Sequence, residues 1–189
     1  MIIKITNPLL PTLKSFSLHL KEIWNSKQLT NNGPKHQLLE KAIKQHLQVD
    51  NISLFSNGTL ALMIAIKALD LKGEIITTPF TFAATVSCAS WMDIKPVFCD
   101  IDYNTMCIDT DKIESLITKE TSAIIAVHVY GNLCNVEKIE AIAKKYNLKV
   151  IYDAAHAFGV VHKGLPIGNY GDISMFSFHA TKLFRVLIS

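Results

Sequence analysis

Three short stretches of the chain combine residue types that could do chemistry. The first is Ser56-Asn57-Gly58-Thr59, placed between an apolar run and an amphipathic stretch. A helix that starts there points several backbone N–H groups and the positive end of its dipole at one spot, which suits a phosphate. An N-cap and tight turn with no ligand is the plainer reading of the same four residues. The second is Asp153-Ala154-Ala155-His156, which follows the apolar Val150-Ile151-Tyr152. A carboxylate at the carboxyl end of a buried strand stands where open α/β sheets bind ligands. An aspartate in that place also serves as a helix cap, and His156 alone reads as a hydrogen-bonded structural histidine. The third is Ser177-Phe178-His179-Ala180-Thr181-Lys182. A lysine near low-dielectric surroundings loses its proton more readily and becomes nucleophilic at neutral pH, as imine chemistry requires, whereas a solvated surface lysine does not. Together these sites offer an anion cradle, a carboxylate and an amine. Pyridoxal phosphate presents a phosphate, a ring nitrogen and an aldehyde.

For the three sites to meet, the intervening elements must bring their ends to one place. From about residue 51 short β-branched runs alternate with longer amphipathic stretches, the pattern of helices covering a mostly parallel sheet. The expected fold class is α/β, an α/β/α arrangement. Strands are expected at residues 52–55, 74–78, 96–99, 123–129, 150–153 and 173–178, several of them apolar throughout, as burial on both faces requires. Helices are expected at residues 59–69, 82–92, 111–117 and 135–146. In the last of these, Val136, Ile139, Ile142 and Ala143 recur at helical spacing while Glu137, Lys138, Glu140, Lys144 and Lys145 fall elsewhere, so one face packs on a sheet. Residues 1–50 differ. They read as two helices, 13–25 and 35–47, joined by Gln28-Leu29-Thr30-Asn31-Asn32-Gly33-Pro34 with no strand signal, and are taken as a helical arm leading into a sheet domain of residues 51–189.

Composition excludes several function classes. The 189 residues are 49% hydrophobic and 19% charged, which is core-rich and unlike a disordered chain. A net charge of +3 with both signs intermixed makes no basic stripe, so nucleic acid is not an expected partner. There is no basic leader and no long apolar run, and the expectation is a cytoplasmic protein without a membrane segment. Cys88, Cys99, Cys107 and Cys134 form no C-x-x-C pair and lie in or beside apolar segments, where they read as reduced core thiols rather than metal ligands. Neither common nucleotide-binding glycine loop occurs, which argues against a dehydrogenase or kinase domain.

An ordered set of motifs goes further than any one of them. Gly33-Pro34 with Leu39-Glu40, Ser56-Asn57-Gly58-Thr59-Leu60-Ala61-Leu62, Thr78-Pro79-Phe80-Thr81-Phe82-Ala83-Ala84-Thr85, Pro96-Val97-Phe98-Cys99-Asp100-Ile101-Asp102, Val127-His128-Val129-Tyr130-Gly131, Asp153 to Gly159 and Ser177 to Lys182 follow one another. From about residue 5 to Lys182 this chain resembles the DegT/DnrJ/StrS family of sugar aminotransferases. The resemblance implies the large domain of the pyridoxal-phosphate-dependent transferase fold type I. Lys182 would bond the cofactor aldehyde, Asp153 would face the pyridine nitrogen, and Gly58, Thr59 and Ser177 would surround the phosphate. Phe82 would lie over the ring, and His156 beside it. Within the family the likeness is to enzymes that aminate a dTDP-4-keto-6-deoxy sugar, which implies a nucleotide-sugar substrate, an amino-acid donor such as glutamate, a homodimer, and a place in lipopolysaccharide or amino-sugar biosynthesis. After Lys182 the family continues to Glu-Gly-Gly and a smaller C-terminal domain, whereas this chain reads Leu183-Phe184-Arg185-Val186-Leu187-Ile188-Ser189. A truncated or frameshifted product is therefore expected, with an inactive remnant or interaction module as the alternative to an enzyme.

Overall fold

The computed structural model describes residues 10–179 and residue 182. Along the chain come helices α1 (Leu13–Ser26), α2 (Pro34–Leu47) and α3 (Gly58–Ala68), strand β1 (Glu74–Thr77), α4 (Ala83–Trp91), β2 (Lys95–Phe98), α5 (Thr110–Ile113), β3 (Thr121–Val127), α6 (Val136–Tyr146), β4 (Lys149–Asp153), the short β5 (Val161–His162) and β6 (Leu165–Pro166), and β7 (Ile173–Met175). Five strands form one sheet in the order β2-β1-β3-β4-β7, and every pairing in it is parallel. Parallel neighbours need crossover connections, and the helices between them cover both faces.

The period-two geometry of a strand decides which side chain meets which layer. Ile76, Ile124, Ala126 and Tyr152 point to the face packed by Ile139 and Ile142 of α6 and by Ile113 of α5. Ile75, Ala123, Ile125 and Ile151 point to the other face, against Leu62 and Ile66 of α3 and Cys88 and Ala89 of α4. The result is the expected α/β class in three layers. Each fully buried isoleucine contributes roughly 2 kcal/mol by area. Helix α6 begins where Asn135 accepts the Lys138 N–H at 3.1 Å, and it ends at Asn147, which takes the left-handed conformation at φ 52°.

Several expected boundaries move, and at residues 52–55 and β7 the reason is that a strand needs a partner. Residues 52–55, Ile-Ser-Leu-Phe, form no strand, and no neighbouring strand pairs with them among the described residues. Strand β7 stops at Met175 rather than at residue 178. Its neighbour β4 offers Asp153 as the last register partner and then turns away, with Ala154 N donating to Met175 O at 2.8 Å. Strand β3 ends at Val127, where Val129–Gly131 makes a 3₁₀ turn with Tyr130 at φ 55°. The helix expected over residues 111–117 divides into α5 and a 3₁₀ turn, Glu114–Leu116. The β5–β6 hairpin was not anticipated; its turn places Lys163 at φ 50° and Gly164 at φ 82°.

The two leading helices attach unequally. Helix α2 buries Ile43 and Leu47, and the Leu47 carbonyl accepts from Asn169 Nδ2 at 2.9 Å. Helix α1 buries none of its residues and meets α2 through an ion pair between Glu22 and Lys35. No helix among the described residues is long and apolar enough to cross a membrane. The expected truncation concerns residues 183–189, which lie outside the described residues, as do Ala180 and Thr181.

Candidate active site

Because all five strands of the main sheet run the same way, their carboxyl ends meet along one edge, and the side chains singled out above gather there. Asp153 is the last residue of β4 and only 4% exposed. Its Oδ2 accepts from Thr85 Oγ1 at 2.7 Å and its Oδ1 from the Ala155 N–H at 3.1 Å. A buried carboxylate needs such donors, because an unpaired charge there would cost several kcal/mol. On the adjacent strand, Met175 is the register partner of Asp153 and also the neighbour of Gly58. A Cβ at Gly58 would stand 3.0 Å from Met175 Sδ and 4.0 Å from Ser177 Cβ. Glycine thus permits the start of α3 to sit directly against the end of β7.

At that start, Asn57 Oδ1 accepts the Leu60 N–H at 2.9 Å, and the first main-chain helical bond runs from Ala61 N to Asn57 O. The N–H groups of Gly58 and Thr59 precede that bond and lie outside the helical ladder. The Ser177 hydroxyl is half-buried beside them and accepts from the His179 N–H at 3.4 Å. Two N–H groups, a hydroxyl and the positive end of α3 make a cradle for a dianion. The Thr59 carbonyl accepts from Cys88 Sγ at 3.3 Å, which ties α3 to α4. Burial, and after it the charge of Asp153, pushes the Cys88 thiol up to about 11.

Lys182 and His156 both lie within reach of the Asp153 charge. Burial lowers the Lys182 pKa below the usual lysine range, with the Asp153 charge acting in the opposite direction. Burial also lowers that of His156, the neighbouring Lys182 adds to the effect, and Asp153 opposes it. The His156 ring stacks on Tyr130 with centroids 6.0 Å apart, and its Nδ1 accepts the Tyr130 N–H at 3.3 Å. Phe82 occupies the N-cap position of α4 and is 75% exposed. Its ring projects from the turn that precedes Thr85.

Sequence reasoning passed over four residues of this edge. Thr81 and Thr85 belong to the Thr78–Thr85 motif and have no role assigned from sequence, although two threonines four residues apart at a helix start are a usable signal. Tyr130 is 74% exposed, and its left-handed backbone is uncommon for a non-glycine residue. His128 is fully buried behind the edge, stacked on Tyr152 at 4.7 Å, with Nδ1 accepting the Cys134 N–H at 3.2 Å. Its Nε2 has no hydrogen-bond partner among the described residues, and burial drives its pKa down to about 4. No local pattern announces that environment.

Comparison with known proteins agrees with this fold. The model of the DegT/DnrJ/EryC1/StrS aminotransferase family matches residues 13–187. The chain is 54% identical over 180 residues to a dTDP-4-amino-4,6-dideoxy-D-glucose transaminase of Shigella dysenteriae, a match that covers 95% of this chain and 49% of the relative. The crystal structure of DesI, determined in the presence of its TDP-sugar product, superposes with a TM-score of 0.91 at 33% identity, covering 95% of this chain and 46% of that one. The structure of NtdA from Bacillus subtilis with bound cofactor PMP superposes with a TM-score of 0.85 at 34% identity, covering 98% and 44%. The chain spans about half the length of the curated relatives it matches.

Proposed function

The chain belongs to the DegT/DnrJ/EryC1/StrS aminotransferase family, and from that premise we propose that it serves a pyridoxal-phosphate-dependent transfer of an amino group from glutamate to a dTDP-4-keto-6-deoxy sugar. The observation that carries this reading is the buried Asp153 carboxylate, held by two donors, with the Lys182 amine inside the reach of its charge. When bound, pyridoxal phosphate supplies an aldehyde that bonds amines and a ring that accepts the electron pair released when a proton leaves the substrate carbon.

The chain's own residues then divide the remaining work. The Asp153 carboxylate accepts the N–H of the ring nitrogen and so holds a proton on that atom. The Lys182 amine, with its pKa lowered by burial, is neutral in a larger fraction of molecules than a solvated lysine; its Nζ would hold the cofactor aldehyde and, once displaced by the incoming amine, would be free to move the proton at the substrate carbon. Gly58 and Thr59 donate main-chain N–H groups to the phosphate, and Ser177 adds its hydroxyl. Phe82 would stack on the ring face, an interaction of roughly 1 kcal/mol, and His156 would flank it. The enzyme acts in the cytoplasm as a homodimer and feeds amino sugars to surface polysaccharide such as lipopolysaccharide. Helix α1 supports association, since Leu13 and Trp24 are 79% and 74% exposed on an element that buries nothing of its own.

The test is cofactor trapping. Protein incubated with pyridoxal phosphate is expected to gain visible absorbance, and borohydride is expected to fix the cofactor on the peptide that carries Lys182. A label on another lysine, or a Lys182→Ala variant trapped equally well, would refute the assignment.

A further inference from the structure

Asp153 is the end of a chain of hydroxyls. Its Oδ2 accepts from Thr85 Oγ1 at 2.7 Å, and Thr85 Oγ1 lies 2.8 Å from Thr81 Oγ1. A carboxylate only accepts, and a threonine hydroxyl has one proton. The proton of Thr85 is therefore committed to Asp153, and Thr81 must be the donor in the second bond. The chain has a direction: Thr81 O–H to Thr85 O–H to the carboxylate. Successive hydrogen bonds of this kind polarise one another. Thr85 is fully buried and Asp153 nearly so, which means water cannot readily replace either partner.

The same two threonines bracket Phe82. Thr81 precedes it, and Thr85 donates its main-chain N–H to the Phe82 carbonyl at 3.1 Å. The hydroxyl bond between Thr81 and Thr85 closes this turn from the side-chain direction. One staple thus ties together two groups 71 positions apart in sequence, Phe82 and Asp153 (153 − 82 = 71). Among the described residues, Cys88 on α4, His156 after β4 and Lys182 after β7 also interact with the Asp153 charge. Thr85 Oγ1, donating at 2.7 Å from a fully buried position, orients the Asp153 Oδ2.

We propose that Thr85, backed by Thr81, is a positioning residue for the cofactor ring: it aims the Asp153 carboxylate and braces the turn that presents Phe82. This rests on the reading that Asp153 faces the ring nitrogen of pyridoxal phosphate. The role is distinct from a brace between α4 and β4, because a brace would matter to folding and not to how the ring is held.

Three variants separate the two. Thr85→Val keeps the shape and removes the hydroxyl, Thr85→Ser keeps the hydroxyl, and Thr81→Val removes only the distant donor. Pyridoxal phosphate affinity, the induced circular dichroism of the bound cofactor and the melting temperature of the cofactor-free protein are measured for each. Thr85→Val is expected to weaken cofactor binding about tenfold and to change the induced dichroism, the loss of one hydrogen bond to a charged group. Thr85→Ser is expected to restore both to within about threefold of the parent. Thr81→Val is expected to lose about threefold. If Thr85→Val lowers only the melting temperature and leaves affinity and dichroism unchanged, the proposal is overturned. Should Thr85→Val fail to fold, the Thr81→Val result decides in the same way. Asp153→Asn keeps the two readings apart: unchanged cofactor affinity in that variant sinks the underlying reading, whereas weak binding there with normal binding in Thr85→Val sinks the positioning role alone.

Discussion

Replacing Asp153 by asparagine separates the charge of this side chain from its shape. In the cofactor-free protein the carboxylate accepts from Thr85 Oγ1 at 2.7 Å and from Ala155 N at 3.1 Å. Asparagine keeps one oxygen for Ala155 and can offer its Nδ2 to Thr85, provided the Thr85 hydroxyl turns to donate to Thr81 Oγ1, 2.8 Å away. Both contacts survive and a buried charge disappears, so the unfolding free energy is expected to change by no more than about 1 kcal/mol. Binding is a different matter. A hydrogen bond between ionised partners stabilises by about 1.5–3 kcal/mol, and its loss lowers affinity for pyridoxal phosphate about 10- to 150-fold. Titration of the visible absorbance measures the second quantity, and thermal melting of the cofactor-free chain measures the first. Affinity equal to that of the parent protein would refute the reasoning and leave Asp153 as a cap for the turn in which Ala157 N donates to Ala154 O. A stability loss above about 3 kcal/mol would refute it from the other side, since the charge would then be holding the fold.

Three further expectations use independent parts of the molecule. Phe82→Leu removes a ring that is 75% exposed, so stability should stay within about 0.5 kcal/mol of the parent while cofactor affinity falls about fivefold, read by the same two assays. His128 is buried with its pKa lowered from 6.5 to about 4, so below pH 6.5 the unfolded chain binds a proton that the folded one refuses. Stability should then fall as the pH drops from 6.5 toward 4, by about 3 kcal/mol in all. His128→Asn, which keeps an acceptor for Cys134 N–H, should flatten that part of the profile in urea titrations, and an unchanged slope would count against the assignment. Gly73→Ala should destabilise by more than about 2 kcal/mol in thermal melts, because Gly73 has φ +70° and a Cβ there would stand 2.4 Å from the Glu120 carbonyl oxygen.

The sequence by itself determined what depends on near neighbours. Apolar runs marked β1, β3 and β4, because a strand buried on both faces admits almost nothing else. The spacing of Val136, Ile139, Ile142 and Ala143 marked α6 and the face it buries. Asn57 and Asn135 marked helix starts, and the order of the motifs identified the family. Tertiary structure decided what depends on arrivals from elsewhere in the chain. Residues 52–55 have strand character but no strand beside them, and β7 ends where β4 stops offering partners. Thr85 reaches Asp153 across 68 positions of sequence. His128 is neutral because Tyr152 and the surrounding core exclude water from it. Propensity and periodicity are short-range properties of the chain, whereas pairing, desolvation and the aim of a buried hydroxyl exist only once distant segments have packed together.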